Sequence, residues 1–81
     1  VTHRRRAHHA VRHLTADLLA MRLARGLTQR AAAEAIGLRQ SDISALERGA
    51  HSPYLDTVCA LADALDCDLI LVPRATPSTT A

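Results

Sequence analysis

Among the residues of this 81-residue chain whose types could do chemistry are ten arginines, five histidines and two cysteines, and their spacing decides which chemistry. His3, His8, His9 and His13 crowd the first thirteen residues beside Arg4, Arg5, Arg6 and Arg12. His9 and His13 are four apart, which on a helix would put two imidazoles on one face, but no third ligand is evident and no metal site is predicted. Cys59 and Cys67 lack the close pairing of a zinc or redox motif and read as buried thiols in a reducing compartment. The serines have no positioned base and no glycine-rich loop cradles phosphate, so neither enzymatic activity nor a cofactor is predicted. Charge remains. With no lysine, every positive side chain other than histidine is a guanidinium, and residues 1–52 hold nine arginines against Asp17, Glu34, Asp42 and Glu47. Residues 53–81 hold Arg74 against four aspartates, so the front half is +5 and the back half −3. That division suits a polyanion on one side and a different partner on the other.

The elements that must carry these groups centre on residues 28–49. Thr28 can cap a helix by accepting from an unpaired first-turn amide, and Ala31, Ala32, Ala33 and Ala35 favour that helix. Gly37 can take the left-handed conformation of a sharp reversal. A second helix is predicted from about Gln40 to Arg48, with Ile43 and Leu46 inward and Gly49 as its stop. Two short helices joined this way bury little surface alone. Packed between flanking helices, they form the helix-turn-helix that reads DNA.

Residues 14–25 supply one flanking helix, with Leu14, Leu18 and Met21 on one face and Arg22 following on it. Pro53 is expected to open the other, whose inward stripe would be Leu55, Val58, Cys59, Ala62 and Leu65. Residues 1–13 are expected to form a mobile basic arm able to follow DNA, residues 14–73 the domain, and residues 74–81 a disordered polar tail. Residues 66–72, closed by Pro73, read as a strand with Cys67, Leu69 and Leu71 pointing one way and Asp68, Ile70 and Val72 the other. A lone strand needs another edge, and the same strand of a second copy would provide one. No run of eighteen apolar residues is present, so no membrane span is predicted and the expected location is the cytoplasm.

In order and spacing, GLTQ at Gly26–Gln29, Ala33, Gly37, Ile43-Ser44, the LERG ending at Gly49, Pro53, Thr57 and residues 61–65 resemble the lambda-repressor-like (Cro and cI, or XRE) helix-turn-helix family. The resemblance covers roughly residues 14–65 and implies an all-α, four-to-five-helix DNA-binding domain. It implies an ion pair between Arg22 and Glu47, whose rupture should cost about 3–5 kcal/mol. Matched position by position, Arg39, Gln40, Ser41 and Ala45 face the bases in the major groove of double-stranded DNA. Arg39 would suit guanine and Gln40 adenine, while Ala45 would touch a thymine methyl or act as a spacer. Thr28 and Gln29 begin the preceding helix, where Gln29 is the implied phosphate contact, and Ser44, Arg48 and His51 are further backbone candidates. Arg39 replaces the usual serine or threonine cap, which weakens the cap. Ala32 replaces a larger aliphatic, which thins the core.

The helical domain ending in a strand and a polar tail is similar, more narrowly, to the hip-type (HipB-like) antitoxins. That likeness implies a homodimeric repressor on an inverted-repeat operator, paired through residues 68–72 (Asp68, Leu69, Ile70, Leu71 and Val72), with a kinase-like toxin as protein partner. A stand-alone phage-type or housekeeping regulator, and an interaction module that keeps the helix-turn-helix as scaffold, fit the residues as alternatives.

Overall fold

The computed structural model describes residues 2–73, with side chains from residue 10 onward. Four helices follow one another: α1 (Thr2–Ala24), α2 (Gln29–Ala35), α3 (Gln40–Arg48) and α4 (Leu55–Ala64).

α1 begins at Thr2, twelve residues ahead of the start read from the sequence, so the stretch expected to be a mobile arm is helical backbone continuous with the domain. No glycine or proline interrupts residues 2–24, and alanine, arginine and leucine carry most of the length. Twenty-three helical residues span about 34 Å.

All four helices end on the same cap. A residue with left-handed backbone is followed by an amide that reaches back five positions: Leu27 to the Arg22 carbonyl at 3.1 Å, Leu38 to Ala33 at 2.9 Å, Ala50 to Ala45 at 3.1 Å and Cys67 to Ala62 at 2.8 Å. Glycine fills the left-handed position in the first three. Asp66, at φ 57°, fills it in the fourth, where an L side chain is tolerated at some cost.

The core is thin and aliphatic. Leu18, Ala32, Ala33, Ile43, Leu46, Val58, Leu61, Ala62 and Leu65 are buried, with Leu14, Met21, Leu27, Ile36, Leu38 and Cys67 packed partly against them. On α4 the buried stripe is Val58, Leu61, Ala62 and Leu65, not the expected one. Leu55 and Cys59 face solvent, while the buried four join the core cluster with side chains of α1, α2 and α3. Tyr54, not Pro53, precedes the first helical residue. Arg25 ties the two outer helices together. Its Nε donates to the Leu65 carbonyl at 2.8 Å and its Nη2 to that of Asp66 at 3.3 Å.

Among the described residues no strand forms. The chain leaves α4 and continues over 67–73 without a ladder partner, and Leu69, Ile70, Leu71 and Val72 are all exposed, Leu71 almost completely. One chain offers no second edge, so the backbone groups of the expected strand have nothing to pair with. The tail at 74–81 lies outside the described residues.

Candidate nucleic-acid interface

Thr28 sets the start of α2. Its backbone is extended and its Oγ1 accepts from the Ala31 amide at 3.0 Å, so Gln29 becomes the first helical residue. At the start of α3, the Arg39 guanidinium has no acceptor to offer the exposed amides. The Arg39 amide instead donates to Asp42 Oδ2 at 3.0 Å, while Arg39 Nε lies 3.5 Å from the same oxygen. The cap is therefore reversed, with the acceptor supplied from within the helix. The Arg39 amide, then the guanidinium, holds the Asp42 carboxyl below its ordinary range.

Between these two starts lies a chain of hydrogen bonds that begins in the core. Arg22, only 8% exposed, donates from Nε to Glu47 Oε2 at 2.6 Å and from Nη2 to Oε1 at 3.1 Å. Its Nη1 donates to the Leu27 carbonyl at 2.7 Å, which locks the α1 to α2 turn. Glu47 Oε1 also accepts from Gln29 Nε2 at 2.8 Å, and Gln29 Oε1 accepts from Gln40 Nε2 at 2.6 Å. A carboxylate can only accept, so Gln29 must turn its NH2 toward Glu47 and its oxygen toward Gln40. Among the described residues, nothing claims the second N–H of Gln40 or its Oε1. This donor and acceptor pair matches adenine N7 and N6 in the major groove.

An open cleft of about 550 Å³ runs over this relay, lined by Arg22, Thr28, Gln29, Arg30 and Gln40. Of the residues singled out from the sequence, the structure thus brings Thr28, Gln29 and Gln40 together. The side chains of Arg39 and Ser41 are exposed beside them. Ala45 and Ser44 are half-buried further along α3, where Ser44 Oγ accepts from Arg48 Nη1 at 2.6 Å. His51 stands apart, on a separate 220 Å³ hollow with Leu38, Asp42, Leu46, Pro53, Tyr54 and Thr57. Gln29, expected to meet phosphate, gives one of its two amide hydrogens to Glu47 and its oxygen to Gln40. Arg30 was not singled out from the sequence. Its signal was its place directly after Gln29. Among the described residues no group of three or more histidine, cysteine or acidic side chains could hold a metal, and no helix is long and apolar enough to cross a membrane.

A helix-turn-helix family profile matches residues 18–72, from the first buried leucine of α1 to the end of the exposed apolar run. An uncharacterized HTH-type transcriptional regulator of Sinorhizobium fredii is 40% identical over 62 residues, covering 76% of this chain and 32% of that protein. The chain therefore spans about a third of the length of the curated relative it matches. No solved structure matches significantly.

Proposed function

Because this chain belongs to the XRE-type helix-turn-helix family, we propose that it is a sequence-specific transcriptional repressor whose α3 reads the major groove. The observation that carries this reading is the relay from Arg22 through Glu47 and Gln29 to Gln40. A buried ion pair orients one solvent-facing amide, so its donor and acceptor are set before DNA arrives. Such preorganisation favours specificity over mere attraction to phosphate. The S. fredii relative, by its name a transcriptional regulator, supports the same role.

Arg39 adds a guanidinium suited to guanine, and Ser41 and Ala45 complete the base-facing set. Thr28, Ser44, Arg48 and His51 contribute to the backbone contacts. The test is Gln40→Ala, measured against a duplex selected by the wild-type chain from a random pool. The variant should fold normally and lose about 1–3 kcal/mol at one base position, with other positions unchanged. Full affinity with full preference would sink the proposed readout.

The repressor acts as a homodimer on an inverted repeat, with half-sites about 34 Å apart. The exposed apolar run at 69–72 supports this, since four such residues in succession without a cover need a partner, and an antiparallel copy would satisfy their backbone groups. The acidic back half further supports a protein partner, which for a hip-type antitoxin is a kinase-like toxin. A stand-alone regulator keeps the same DNA reading and lacks only that partner.

A further inference from the structure

We infer that Arg30 is the phosphate clamp on the α2 side of the interface, a role the family resemblance implies for Gln29. The inference rests on the DNA-reading function just proposed. Gln29 gives one amide hydrogen to Glu47 and its oxygen to Gln40, which positions the reading amide and leaves a single neutral N–H for any phosphate. Arg30 is the opposite case. It is exposed on the second residue of α2, lines the same cleft as Gln29 and Gln40, and among the described residues makes no hydrogen bond or ion pair.

Glu34, one turn further along α2, forms no ion pair with Arg30 among the described residues. The first turn of α2 contains no acidic residue to offset Arg30, and a positive side chain opposes the dipole of the helix that carries it. Arg39, by contrast, lies beside Asp42, and Arg48 donates to Ser44. Among the described residues Arg30 is thus a guanidinium without a partner, on the rim of a cleft whose floor presents a base-reading amide. The ligand that fits is the phosphodiester flanking the base read by Gln40, gripped by two parallel N–H donors.

The experiment compares Arg30→Ala, Arg30→Gln and Arg30→Lys with wild type, on a duplex the wild-type chain selects from a random pool and on a mixed-sequence duplex of equal length. Affinity is followed from low to moderate salt. Arg30→Ala and Arg30→Gln should weaken both duplexes alike, by about three- to tenfold near 0.1 M salt, with the salt slope shallower by about 0.9. Arg30→Lys should retain the slope. Thermal midpoints should stay at or slightly above that of wild type, which excludes a folding cause. An unchanged slope, or a loss confined to the selected duplex, would overturn the clamp while leaving DNA reading intact. Wild type without sequence preference would instead overturn the proposed function, and the clamp with it.

Discussion

Replacing Arg22 by methionine keeps the apolar stem and removes the guanidinium, so Glu47 would stay in the core with Gln29 as its remaining side-chain donor. In the native pair the side chains are 10% and 6% exposed, and three guanidinium hydrogen bonds of 2.6, 3.1 and 2.7 Å are made. Two unit charges about 4 Å apart attract by about 4 kcal/mol at an effective dielectric constant of 20. Stranding one of them should therefore cost about 3–5 kcal/mol. A chain of this size has a total stability of only about 4–12 kcal/mol at typical values per residue. Arg22→Met should thus lie near the unfolding threshold. Glu47→Leu should behave similarly, leaving the guanidinium with only the Leu27 carbonyl. The double variant has no stranded charge and should be more stable than either single one, with an interaction energy of about 2–3 kcal/mol. Urea denaturation followed by circular dichroism measures all four chains. Single substitutions that each cost under about 1 kcal/mol, or that simply add, would refute the idea that this pair holds the reading helix.

Truncation after Asp68 keeps the Cys67 amide on Ala62 and removes the exposed apolar run, so the solution mass should fall from dimer to monomer; equal masses would count against strand pairing. Asp42→Asn should destabilise α3 at neutral pH. Because the folded-state pKa of Asp42 is lowered, its contribution is present above the unfolded value and lost as pH falls through the folded one, so the wild-type advantage in thermal midpoint should disappear in acid. Asp66→Gly relieves a left-handed backbone at the α4 cap and should stabilise by about 0.5–1 kcal/mol, read as a rise in urea midpoint.

The sequence by itself determined what depends on near neighbours. Thr28 as a cap, Gly37 and Gly49 as stops and the span of α3 follow from residues within a few positions of each other, and the structure has them where those rules put them. The helicity of residues 2–13 was locally legible too, in the absence of glycine and proline. Its charge suggested an arm because no apolar stripe marked a packing face. Tertiary structure alone decided the rest. Periodicity on α4 admits faces one residue apart, and the core cluster takes in Leu61 while leaving Leu55 and Cys59 in water. The direction of the Gln29 amide depends on Glu47, eighteen residues later. A hydrogen bond between distant residues leaves no mark on local spacing, because only the packing of α1, α2 and α3 brings its donor within reach of its acceptor.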